Sequence, residues 1–304
     1  MEETLKSFDF LKSLRRMDWV KLILMTIASL SIVIVLLISL FTISESIPAF
    51  SSLGLDLLLG DRWAPYYGRY GATPLVYGSL IVVFGAVLIA VPLGVLSAIS
   101  LAEYMPRKLG EVVKLMIELL AAIPSIIYGF LGMVFIAPAI TKLFGISLGR
   151  TALTGSIVLS MMITPTIVSI SSEVISSVPR EYRMAAIALG ATKWQVIRGV
   201  VIPTALPGIA ASILLAFGRA VGETVAVLMS CGCVAKIPSP PWNLLDPVHT
   251  LTAAIALDMG EVAMGSMHYH VLFGLGVILF VITFSVNTAA WLLMRRAPRR
   301  LIKV

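Results

Sequence analysis

Long apolar runs separated by short polar stretches organise the chain. Six windows carry few or no charges: Val20–Ile43, Pro74–Leu101, Val112–Ala139, Thr151–Ile170, Leu206–Met229 and His270–Met294. Each is close to or beyond the roughly 20 residues a helix needs to cross the hydrocarbon core of a bilayer. Runs of this length without strict alternation read as helices, whose backbone bonds are satisfied internally in lipid. The pattern predicts an all-α membrane protein with six transmembrane helices.

Around these windows the chain divides into a tail at 1–19, a first helix at 20–43, and a connection at 44–73. A five-helix core follows at 74–294, and a basic tail closes the chain at 295–304. The core carries two long connections, 171–203 on one side of the membrane and 230–269 on the other. The first of these reads as structured: Ser177-Val178-Pro179 precede helix formers through Leu189, Gly190 stops the helix, and Trp194, Ile197 and Val201 resume at helical spacing. In the N-terminal tail Leu5, Phe8, Leu11 and Leu14 stand about one turn apart among lysines and arginines. That fits a helix lying on the membrane surface and equally a tail that only carries topology charges.

Composition agrees with the pattern. Of 304 residues 59% are hydrophobic and 13% charged, and the mean hydropathy is +0.99, which excludes a water-soluble globule. The net charge of +7 sits at membrane edges, so the expected partner is the lipid bilayer and not nucleic acid. Five of the 23 basic residues (Arg62, Arg69, Lys142, Arg150 and Lys236) fall on one side, Arg219 falls within a span, and the other 17 fall with the two termini. By the positive-inside rule both termini are cytoplasmic. The first apolar run is too long for a signal-peptide core and no small-residue cleavage site follows, which makes it an uncleaved anchor.

Candidate chemistry is sparse. Cys231 and Cys233 make no disulfide framework, and His249, His268 and His270 give no metal-ligand spacing, so neither a metal nor a cofactor is expected. No G-x-x-x-x-G-K-[ST], H-E-x-x-H or G-x-S-x-G occurs; the chain has no phosphate loop with which to bind ATP and is not expected to be an enzyme.

The informative residue is Arg219, near the middle of Leu206–Met229. A permanent cation there costs about 2.5–3.5 kcal/mol on insertion scales and belongs in a bundle interior or an aqueous path. Glu223, four residues on, shares its helical face. Two readings stand: a neutralised pair holding helices together, or a guanidinium fork suited to an oxyanion passing through the bundle. Lys114 and Glu118 read as an interfacial ion pair. Small residues such as Gly85, Gly94 and Gly155 read as close helix packing, and Pro92, Pro124 and Pro165 as sites of kinked or broken helix.

Met184-Ala185-Ala186-Ile187-Ala188-Leu189-Gly190, followed after nine residues by Val200-Val201-Ile202-Pro203, resembles the "EAA" loop of ABC-importer permeases, E-A-A-x3-G-x9-I-x-L-P. A small-residue helix ending at a glycine forms a compact knob with little side-chain entropy to lose on docking. Met184 stands where the family has Glu, leaving Glu181, one turn earlier, to supply an ionic contact. The runs Glu118–Gly129 and Gly218–Met229, and Trp63-Ala-Pro65 with Tyr70-Gly71 before Pro74, resemble the PstC-type permeases of phosphate importers.

The resemblance implies a type I ABC-importer permease fold in a prokaryotic inner membrane, pairing with a homologous PstA-like permease. It also implies two PstB-like ATP-binding subunits and a PstS-like extracytoplasmic phosphate-binding protein as partners. Phosphate would pass Arg219 and Glu223, and Glu181, Met184, Ala185, Ala186 and Gly190 would couple the chain to the ATPase. Alternatives are a permease for sulfate, molybdate or another oxyanion, and an ion-coupled secondary carrier gated by Arg219–Glu223, a class that often shows inverted repeats.

Overall fold

The computed structural model describes residues 19–296; the tail residues Leu5, Phe8, Leu11 and Leu14 and the basic Arg299, Arg300 and Lys303 lie outside the described residues. The chain is mostly helical, and six helices are long and apolar enough to cross a membrane: Lys21–Leu53, Thr73–Tyr104, Ser125–Phe144, Ala152–Ser176, Lys193–Val221 and Met267–Ala289.

Helix α1 (Trp19–Leu53) runs past its expected end at Ile43. Its apolar side chains are bare over the first half, as a lipid-facing helix requires. Its second half packs on the last helix, α13 (Met267–Arg296), where Phe41 meets Phe273 edge to face at 5.7 Å and His270 Nδ1 lies 2.8 Å from the Glu45 carbonyl oxygen.

Residues 44–73, read from the sequence as a connection between the first and second spans, carry short regular elements. After α1 come the short helix α2 (Asp56–Leu59) and a hairpin of β1 (Trp63–Ala64) with β2 (Arg69–Tyr70), Trp63 opposite Tyr70. Strands of two residues leave no alternation to read.

The centre of the fold is the pair α3 (Thr73–Ile99) and α7 (Ala152–Ser176). In the most apolar window of α7, 61% of residues are buried, against none in α1. The glycines explain how closely the two approach: a Cβ on Gly85 would fall 2.4 Å from Ser156 Oγ, and one on Gly94 would fall 2.8 Å from Ile167 Cγ2. A buried core of Val82, Ala86, Ala90, Leu159, Ile163 and Ile167 fills the interface. Pro92 and Pro165 both sit inside these helices, which continue through them.

Two of the expected spans are interrupted. Val112–Ala139 is not one helix: α4 (Arg107–Ala121) ends before Pro124, and α5 (Ser125–Leu131) restarts the chain, passing through a π-helical turn at Gly132–Ile136 into α6 (Ala137–Phe144). Pro124 removes a backbone donor and disfavours helix at the residue before it. The amphipathic α4 thus lies outside the third candidate span, which begins at Ser125. Its Lys114 does lie 3.9 Å from Glu118, but its shorter bond, 2.7 Å, is to Glu173 at the end of α7.

The expected span Leu206–Met229 is also broken. A continuous run of α9 (Lys193–Val196), a π-helical turn (Ile197–Val201) and α10 (Ile202–Val221) ends at Gly222, and α11 (Val225–Ser230) follows Thr224. The two broken spans meet: a Cβ on Gly129 of α5 would lie 3.0 Å from Ala226 Cα of α11.

Residues 231–269 cap this end of the bundle, with α12 (Leu251–Asp258) started by the Thr250 side chain accepting from Ala253 N–H. His249 is buried there at 5% exposure, its Nδ1 without a partner and its carbonyl tight against Gly78. Burial pushes its pKa below 6.5, opposed by the Asp258 carboxylate. Folded His249 therefore stays neutral where the unfolded chain takes up a proton, so stability is full above pH 6.5 and falls as pH drops through the folded value. Thermal unfolding of the purified protein should weaken more between pH 7.5 and 5.5 than that of His249→Gln; identical pH dependence would assign the titration elsewhere.

Candidate functional site

The structured connection after α7 is a helix, a tight turn and a second helix. Pro179 precedes α8 (Arg180–Ala188), a position suited to its fixed φ. Gly190, at φ +83°, turns the chain in the left-handed region that glycine enters without penalty. Thr192 then caps α9 through a reciprocal box: its hydroxyl accepts from Gln195 N–H, and the Gln195 side chain accepts from Thr192 N–H at 2.8 Å.

The outer side of this element is bare and largely apolar. Met184 is 64% and Leu189 90% exposed, and Tyr182, Ile187 and Trp194 are more than half exposed. Glu181, Ala185 and Gly190 are exposed as well, whereas Ala186 turns inward against the ends of α3, α7 and α10. Glu181 and Met184, three residues apart, share a face. The sequence-derived residues thus divide: Glu181, Met184, Ala185 and Gly190 face outward, and Ala186 anchors. Exposed apolar patches of this kind mark protein or membrane contacts in general.

Arg219 sits elsewhere than expected. Because α10 ends at Val221, it lies in the last turn of that helix rather than mid-span, where the carbonyl end of the helix dipole favours a cation. Among the described residues no ion pair joins it to Glu223. The helix stops between them, and the Glu223 carboxylate accepts from Ala226 N–H at 3.3 Å, capping the next helix. Arg219 is exposed in the isolated chain, and the side-chain bond it makes is donation from Nη1 to Thr166 Oγ1 at 3.3 Å. It also lies within electrostatic reach of Tyr128, whose hydroxyl donates across the Pro124 break to the Leu120 carbonyl at 2.9 Å.

Arg219 therefore stands beside both helix breaks with donors to spare, facing hydroxyl groups. Thr166 belongs to the hydroxyl-rich run of α7 that the sequence offers first as close packing and second as a lining for polar solutes, whereas Tyr128 of α5 was not singled out. Thr252 of α12 closes the neighbourhood, donating to the Glu223 carbonyl at 2.7 Å. Among the described residues no group of three His, Cys, Asp or Glu side chains gathers to hold a metal ion.

The family model of the binding-protein-dependent transport system inner membrane component matches residues 90–303. The chain belongs to this family. As an inner-membrane component it is a multi-pass protein of the cell membrane, and the curated relatives named below are transport permeases rather than enzymes. The permease is 39% identical over 298 residues to the phosphate transport system permease protein PstC of Mesorhizobium japonicum, covering 90% of this chain and 89% of the relative. It is also 39% identical over 232 residues to a probable ABC transporter permease, YqgH, of Bacillus subtilis, covering 76% and 74%.

Solved structures show the same fold at lower identity. The permease superposes with a TM-score of 0.63 and 16% identity on a chain of a bacterial alginate ABC transporter in complex with an alginate-bound periplasmic protein, covering 94% of this chain and 97% of that one. On the inward-facing MetNI methionine ABC transporter it reaches 0.55 at 20% identity, covering 78% and 99%. The fold is that of an ABC-importer permease.

Proposed function

We propose that this permease lines the path of inorganic phosphate in an ATP-driven importer, paired with a homologous PstA-like permease. Two PstB-like ATPase subunits seat the α8 knob, and a PstS-like binding protein delivers phosphate to the opposite face. Both termini and α8 are cytoplasmic, supported by the 17 basic residues that fall with the termini against five opposite. The observation that carries the reading is Arg219: a guanidinium with free donors between two broken helices, in a chain similar over most of its length to phosphate permeases. Its planar fork matches a phosphate bidentately, and water excluded from the closed path strengthens the attraction.

Sealed proteoliposomes holding the four-component complex test chemistry and orientation together. With phosphate and binding protein on the face that carries Asp61, ATP on the face that carries Lys193 should drive uptake, and excess sulfate or molybdate should not compete. Uptake that sulfate abolishes would make this a permease for another oxyanion. Uptake driven by an ion gradient without ATP would make it a secondary carrier, and activity with ATP on the Asp61 face would invert the topology.

A further inference from the structure

We propose that the turn ending the second span, Ser100–Tyr104, is the joint that passes movement of α8 into the membrane helices, with Arg183 and Glu103 as its positioning residues. The proposal rests on α8 being the element that docks on the ATPase. Arg183 belongs to α8 but points away from the knob. Its Nη2 donates to Glu103 Oε1 at 2.9 Å and to the Ile175 carbonyl at 2.8 Å, and Nη1 donates to the Val178 carbonyl. One guanidinium therefore binds three elements: the docking helix, the end of α7 and the turn beyond α3.

The adjacent residue grips the other half of the loop. The Lys193 ammonium of α9 sits 4.5 Å from the centroid of the Tyr104 ring, within cation–π range. Glu103 and Tyr104 thus hold α8 and α9 on either side of Gly190. Under these bonds lies an apolar seat of Ala98, Ile99, Ile175, Val178 and Ile197, with Ala186 packed against it.

Burial separates this contact from ordinary surface pairing. Arg183 and Glu103 are 18% and 12% exposed, whereas Lys114 and Glu173, a pair at the same end of the bundle, are 35% and 62% exposed. An exposed pair is loose and screened; a half-buried guanidinium held by one carboxylate oxygen and two backbone carbonyls has far less freedom. The fourth span follows α8 through the backbone at Ser177–Pro179 in any case. The second span is 80 residues away in sequence from Arg183, and the polar route to it found among the described residues runs through Glu103 and Tyr104. Since α3 and α7 are locked along their lengths, a pull applied at Glu103 turns both.

The complete complex in proteoliposomes decides this by the number of phosphates imported per ATP hydrolysed. In Arg183→Gln and Glu103→Gln the ATPase subunits should stay bound and hydrolysis continue, while phosphate per ATP falls by about tenfold or more, as expected when one partner of a buried pair is removed. Arg183→Lys, which keeps the charge and donors to Glu103 and the carbonyls, should recover part of the ratio. A purely structural role would lower assembly, hydrolysis and uptake together without moving the ratio. An unchanged ratio with the ATPase bound would overturn the proposal. Should Arg183→Gln fail to assemble, Tyr104→Leu, which leaves the buried pair intact, should still lower the ratio, and a normal ratio there would also overturn it. Failure of the docking reading looks different: the ATPase would remain bound and fully coupled when Ala185 is enlarged.

Discussion

Replacing Arg219 with Gln should leave the complex assembled and abolish phosphate uptake. Two charge-assisted hydrogen bonds to a phosphate, worth about 1.5–3 kcal/mol each, disappear with the guanidinium. A loss of about 3 kcal/mol or more in a site closed to water lowers uptake by over a hundredfold. Arg219→Lys should be impaired too, because a point charge lacks the fork. Assembly should survive because Arg219 spends one bond on the Thr166 hydroxyl and none on Glu223. For the same reason the stability losses of Arg219→Gln and Glu223→Gln should add in the double variant, within about 0.5 kcal/mol. Uptake by vesicles, with ATPase co-purification as the assembly control, checks the first part. Normal uptake in Arg219→Gln would remove the residue from the path, and a strongly non-additive double variant would restore the ion pair that the broken helix separates.

The second large effect concerns the α8 knob. Gly190→Trp should detach the ATPase or uncouple its hydrolysis from transport, and Gly190→Asn should not. At φ +83° an ordinary side chain costs about 1–2 kcal/mol, which Asn largely escapes. Apart from its chain neighbours, no atom of the described residues lies within 4 Å of a Cβ built there, so the permease itself has room for a side chain, and the indole would instead meet the docked partner. Overfilling a packed groove costs a further roughly 1–3 kcal/mol. Together these lower binding by about thirty- to several-thousandfold. Ala185→Trp isolates the groove, since Ala185 is helical and exposed and carries no backbone penalty. Pull-down of the ATPase subunits with substrate-stimulated hydrolysis measures both, and wild-type coupling in Gly190→Trp would relocate the docking element.

Six spans were readable because a transmembrane helix announces itself by sheer apolar length, whatever its packing. Their interruptions were less so. The apolar stripe of α4 (Leu109, Val112, Leu115, Leu119) runs without a gap into the third span, and only Pro124 marks the boundary. At Gly222-Glu223-Thr224 no proline occurs and apolar runs flank both sides, so the break was hidden and Arg219 and Glu223 were read as sharing one continuous helix face. The helix–turn–helix after α7 was legible from spacing alone, because a cap and a glycine are local signals, whereas a docking role for it comes from its resemblance to the EAA loop. Arg183 was not, since its meaning depends on Glu103, which folding brings to it from 80 positions away.

The glycine contacts between α3 and α7 bear on how such a molecule can move. With Gly85 set against Ser156 and Gly94 against Ile167, sliding one helix past the other would drive side chains into backbone, so the two behave as a single girder. A girder tilts but does not flex. Bending is left to the places where the hydrogen-bond ladder is already open, Ala122–Pro124 and Gly222–Thr224, and Arg219 stands beside both. The cation proposed to meet the anion is thus carried beside both openings, where a small tilt of the girder would redirect it.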